Sequence, residues 1–214
     1  MRINADFSQR VAVHFDDIPW VQSPAAGVER KMLDRIGEEV ARATTIVRFA
    51  PGSSFSAHTH DGGEEYLVLD GVFQDETGDF PVGSYVRNPP TSRHAPAAAD
   101  GAMILVKLHQ FDPEDRQTVH VDTTEAQDPH LPLYSDPHED VCLVNWAPGL
   151  EVSFTAEGGA ELFVLEGSYQ DGDETFGRWD WLRLPPGGQL DAKAGPDGAR
   201  VWIKSGHLTE MVKN

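Results

Sequence analysis

The chain has 214 residues, long enough for one large domain or two of about 100 residues, and its 39% hydrophobic and 24% charged content is that of a folded globular protein. Its 17 Lys+Arg against 35 Asp+Glu give a formal charge of -18, which repels phosphate backbones and anionic lipid and argues against direct nucleic-acid or membrane partners. No apolar stretch approaches the ~20 residues that span a bilayer, and the first 20 residues lack the basic start and apolar run of a signal peptide, so a cytoplasmic protein is predicted.

The first ambiguous element lies at 28–40. Val28, Met32, Leu33, Ile36 and Val40 suit one face of a helix, whereas Gly37 among charges suits a hairpin turn. The equivalent stretch of the second half carries Pro132 and Pro137, which a helix interior rejects, so the hairpin is favoured. Short apolar and β-branched runs then follow at 44–49, 66–69, 103–108, 141–146, 162–165 and 200–204, separated by Gly, Pro and Asp clusters. That rhythm predicts an all-β sandwich or barrel.

Between the first two strands of this series lies the chemistry. Gly52 is followed after five residues by His58-Thr59-His60, then by Glu64, then by Gly71. On a strand, residues two apart project to the same face, so both imidazoles can reach one ion, and Gly62-Gly63 supplies a turn that returns a carboxylate to it. Glu65 competes with Glu64 for this role. The spacing to Gly71 favours Glu64, which also sends Tyr66 and Val68 inward by alternation. Farther on, Gly83 leads through Pro89-Pro90 to His94, a third imidazole from another strand. Three His and one carboxylate make a nitrogen and oxygen site for one divalent transition metal, with Zn and Fe the expected ions.

The chain also repeats itself. Ala50-Pro51-Gly52 recurs as Ala147-Pro148-Gly149, Leu67-Val68-Leu69-Asp70-Gly71 as Phe163-Val164-Leu165-Glu166-Gly167, and Pro89-Pro90 as Pro185-Pro186, the last two at an offset of 96. Two homologous β-units are indicated, divided as 1–112 and 113–214, with the aperiodic stretch 111–137 carrying connecting strands. At offset 96 the four ligands become Phe154, Ala156, Ala160 and Leu190, so the second unit is expected to hold no metal. His14, His109, His120, His130, His138 and His207 have no such register and are expected at the surface or in loops. The single cysteine, Cys142, rules out an intrachain disulfide and is expected as a small apolar group on a strand.

These spacings resemble the two signature motifs of the cupin superfamily, G-x5-H-x-H-x3,4-E-x6-G and G-x5-P-x-G-x2-H, with Thr91 standing where the second has glycine. The run from His58 to Phe73, with Tyr85-Val86-Arg87-Asn88-Pro89-Pro90, resembles the ChrR-like cupin family over residues 19–111. The resemblance implies a bicupin of two double-stranded β-helix (jelly-roll) barrels, commonly a homodimer. It implies two functions of different classes. One is dioxygenase-type chemistry on a dicarbonyl or aromatic ketone, with Phe55, Tyr66 and Arg87 as pocket residues. The other is a sensor related to anti-sigma factors. In those proteins a separate domain with an H-x3-C-x2-C zinc site grips the sigma factor; that motif does not occur here, so a sigma factor is not the expected partner and a small molecule is.

Overall fold

The computed structural model describes residues 1–38, 40–124, 126 and 128–212. Nearly every described element is a strand, and the chain divides into two compact units, Met1–Ala5 with Pro19–Glu125 and Asp6–Ile18 with Ala126–Asn214.

In the first unit one sheet runs in the order Arg2–Ile3, Val28–Gly37, Ala41–Phe49, Ala102–Leu108, Glu64–Asp75, Ser84–Asn88 and Val119–Asp122. The ambiguous stretch is the hairpin: Val28–Gly37 pairs antiparallel with Ala41–Phe49. A bulge between Met32 and Asp34 breaks strict alternation there and leaves apolar residues at helix-like spacing. In the second unit the order is His130–Ser135, Asp140–Trp146, Gly188–Ser205, Ala160–Asp171, Trp181–Leu184 and Val11–Val13. Pro132 sits on an edge strand beside a bulge, where its missing N–H costs no ladder bond.

The two units therefore do not divide at residue 112. Residues 6–18 belong to the second unit because Val11–Val13 pairs with Trp181–Leu184, while Arg183 donates to the Asp6 carbonyl at 2.9 Å and lies 4.2 Å over the Phe7 ring. Residues 113–125 belong largely to the first because Val119–Asp122 pairs with Ser84–Asn88. Pairing of a three-residue strand with a partner some 170 residues away leaves no periodicity in the sequence.

The repeat is preserved in strand register. His58 faces His94 across one ladder, and Phe154 faces Leu190 across the matching one. Gly71 and Gly167 both have φ of +68°, and a Cβ at either would lie 2.2 or 2.1 Å from a backbone oxygen, of Gly101 or Gly198. Only glycine fits a left-handed position this close to another backbone. The inner face of the first unit buries Val28, Val47, Phe49, Tyr66, Val68, Phe73 and Ile104, and that of the second Val144, Trp146, Leu162, Tyr169, Phe176 and Val201.

The opposite face of each central strand holds a buried ionic pair. Glu65 accepts from the Tyr85 hydroxyl at 2.7 Å and pairs with Arg87 at 3.4 Å. Glu161, at the matching place, accepts from the Trp181 indole at 3.1 Å and faces Arg183 across the ladder. Burying such charges is tolerable only because each meets its counter-charge and further donors.

Candidate metal centre

His58–His60 and Ser92–His94 form a two-stranded ladder in which His94 faces His58 and Ser92 faces His60. Alternation puts His60 on the side of His58, so three imidazoles converge, with ligand nitrogens all within 4.8 Å of one another. Glu64 opens the next strand, and its Oε2 lies 3.5 Å from His60 Nε2 and 3.3 Å from His94 Nε2. The four predicted ligands are thus brought together. Glu65 points to the opposite face and is spent on Tyr85 and Arg87.

The surroundings fix which nitrogen of two rings faces inward. His58 Nδ1 lies 3.1 Å from the Ser56 carbonyl, and His94 Nδ1 lies 3.2 Å from Asp75 Oδ2. A carbonyl or carboxylate at Nδ1 keeps the proton there and leaves Nε2 as a lone pair. Asn88, opposite Glu64 in register, donates to Glu64 Oε2 at 3.2 Å and holds that carboxylate in place.

The donor set fits a divalent cation. His60 Nε2 and His94 Nε2 are 2.8 Å apart, close to the roughly 3 Å separating two nitrogens that each sit about 2.1 Å from one ion at a right angle. Burial pushes the His60 imidazolium below its ordinary pKa, only partly opposed by Glu64, so the ring is held neutral as a metal ligand must be. Burial opposes ionisation of Asp75, but hydrogen bonds from Thr77 and His94 outweigh it and hold the carboxyl below its usual range.

A cavity of about 580 Å³ opens onto the cluster, with His58, His60 and Glu64 in one wall and Val47, Phe49, Phe55, Ile104 and Val106 among the others. That volume and apolar lining suit a small organic ligand. Of the three predicted pocket residues, Phe55 lines this cavity. Tyr66 packs in the core against Phe73 and Phe80, with its hydroxyl buried and unpartnered among the described residues, and burial followed by Glu64 raises its pKa. Arg87 is not in the cavity. Alternation turns it to the outer face of the sheet, where it meets Glu65, Asp115 and the Phe111 ring.

All six remaining histidines lie in loops or at the surface as expected, but two of the loop histidines face inward. His109, just past Ala102–Leu108, lines the cavity, and His207, in the turn after Gly188–Ser205, tucks its side chain in with Nε2 2.8 Å from Glu161. Gly62 makes room for the His109 ring, since a Cβ there would lie 2.3 Å from His109 Nδ1. Cys142 is on a strand as expected, half-buried against the second core, where burial pushes its thiol up to about 11. At the ligand positions of the second unit, Ala156, Ala160 and Leu190 are buried core and Phe154 packs against it.

Residues 8–112 match the family model described as the ChrR Cupin-like domain. The chain is 32% identical over 100 residues to the anti-sigma-E factor ChrR of Cereibacter sphaeroides, covering 47% of this chain and 45% of that protein. It thus spans less than half the length of this relative. Among solved structures, a candidate dioxygenase from Nostoc punctiforme superposes with a TM-score of 0.71 at 14% identity, over 98% of this chain and 83% of that one. The bacterial pirin YhhW from Escherichia coli in complex with nickel(II) gives 0.71 at 11% identity, over 92% and 98%. At such identities these likenesses speak for the fold, which is all-β and of the bicupin type.

Proposed function

Taking as premise that the first barrel is a ChrR-like cupin, as the family match over residues 8–112 indicates, we propose that it holds one divalent transition metal on His58, His60, Glu64 and His94 and uses it on a small molecule, with dioxygenase-type chemistry. The observation that carries this reading is the cavity of about 580 Å³ ending on His58, His60 and Glu64. A purely structural metal needs no such opening.

An iron(II) ion held there would supply redox chemistry toward dioxygen. The chain's own residues do the rest. Ser56 and Asp75 hold two imidazoles with their lone pairs inward, Asn88 steadies Glu64, and Phe49, Phe55 and Val106 exclude water from the ligand. The second barrel, with apolar residues at all four ligand positions, supports the count of one ion per chain.

Metal analysis of protein purified without an affinity metal, paired with oxygen uptake on a panel of β-dicarbonyl compounds and aromatic ketones, tests this. Iron with substrate-dependent oxygen consumption is expected, and His60→Ala abolishes stoichiometric binding. A full metal equivalent on His60→Ala after dialysis would overturn the site. The 32% identity to an anti-sigma factor favours a second reading, a metal-dependent sensor that a partner protein reads. Bound zinc without turnover, or co-purification of a sigma factor, is its signature.

A further inference from the structure

One cavity-lining residue has no place in the ligand set. Arg30 lies on Val28–Gly37, turned the same way as core residue Val28 and paired in register with core residue Val47, so its part-buried side chain turns toward the barrel interior. Besides the imidazoles it is, among the described residues, the one basic side chain lining the cavity. Its Nε is buried and has no hydrogen-bond partner among the described residues. The cations beside it are engaged elsewhere: Arg48 pairs with Glu29 and lies 4.2 Å over the Trp20 ring, and Lys31 lies 5.2 Å from the same ring.

A buried guanidinium N–H left without an acceptor is costly, and a planar oxyanion is the acceptor whose geometry it matches best. The remaining walls, including Phe49, Phe55 and Leu108, are apolar and suit a hydrocarbon or aryl body. The chain as a whole, at -18, repels anions. An anion entering this cavity must therefore be held by a local group, and Arg30 is that group. We infer that the cavity is a carboxylate site: Arg30 binds the carboxylate of a small organic acid whose apolar body fills the space toward the imidazoles. This inference rests on the cavity being the small-molecule site of the proposed metal centre.

The test is calorimetric titration of phenylacetate, 4-phenylbutyrate and hexanoate, each against its amide, into zinc-loaded and EDTA-treated protein, for wild type, Arg30→Gln and Arg30→Lys. Wild type is expected to prefer at least one acid over its amide by about tenfold, and to keep that preference without zinc, because a charge-assisted hydrogen bond is worth about that factor. Arg30→Gln loses the preference while binding a full zinc equivalent, and Arg30→Lys regains part of it. Equal binding of acids and amides by EDTA-treated wild type, no acid bound at all, or a preference that persists in Arg30→Gln overturns the assignment. Should Arg30→Gln not fold, the EDTA-treated wild type alone decides. Substoichiometric zinc on wild type, with the acid preference intact, would instead count against the metal centre and leave Arg30 standing.

Discussion

Asp75→Asn is expected to weaken metal binding tenfold to a hundredfold while leaving every ligand in place. Asp75 Oδ1 accepts from the Thr77 amide at 2.7 Å and its hydroxyl at 2.5 Å, and Oδ2 faces His94 Nδ1 at 3.2 Å with both side chains about 5% exposed. An asparagine keeps its carbonyl oxygen toward Thr77, because that place needs an acceptor, and so turns its NH2 toward His94. Two donors cannot face each other. His94 must then accept at Nδ1 and carry its proton on Nε2, the atom that ligates, and reversing that tautomer on binding costs about 1.4–2.7 kcal/mol, the range seen when such outer partners are removed. Competition against a chromophoric chelator reads the affinity. Asp171→Asn, at the matching place of the second barrel where the carboxylate pairs with Arg10 instead, serves as the control and leaves the affinity unchanged. An Asp75→Asn affinity within twofold of wild type would refute the tautomer argument.

Thr91 has φ of +73°, a conformation that a β-branched residue occupies only under strain, and the matching residue of the second barrel is Gly187 at +79°. Thr91→Gly is expected to stabilise the protein by about 0.5–1 kcal/mol in urea unfolding, after the entropy cost of glycine; a destabilised variant contradicts this. Glu65→Ala removes one of the two carboxylates on buried Arg87, leaving Asp115, and takes the acceptor from Tyr85, and a loss of about 3 kcal/mol, the low end for a broken buried pair, is expected in the same assay; less than about 1 kcal/mol shows the pair to be dispensable. His14 pairs with Asp180 at 2.9 Å and with Glu174 at 3.3 Å, and the Asp180 hydrogen bond raises its pKa against the opposing effect of burial. A raised folded pKa stabilises fully below the unfolded value of about 6.5 and fades as pH rises through the folded one. The Tm gap between wild type and His14→Gln should therefore be wider at pH 5.5 than at pH 9, and a gap independent of pH removes the ion pair from the account.

The sequence by itself determined what depends on local spacing. Strand alternation made His58 and His60 neighbours on one face, the distance to Gly71 separated Glu64 from Glu65, and the internal repeat gave the all-β double-barrel fold and the loss of ligands at Phe154, Ala156, Ala160 and Leu190. Tertiary structure alone decided what depends on strands distant in sequence. The pairing of Val11–Val13 with Trp181–Leu184 moved residues 6–18 into the second unit. Neither Ser84–Asn88 nor Val28–Gly37 alternates cleanly between polar and apolar residues, so nothing local says which face of either meets the core; strand pairing turned Arg87 out to meet Glu65 and Arg30 in toward the cavity. Asp75 likewise carries no sign of a metal-site role in the sequence, since Gln74-Asp75 recurs as Gln170-Asp171 in the unit that has lost the ligands. Its contact with His94 exists only because the barrel closes Glu64–Asp75 against the strand that carries the third imidazole.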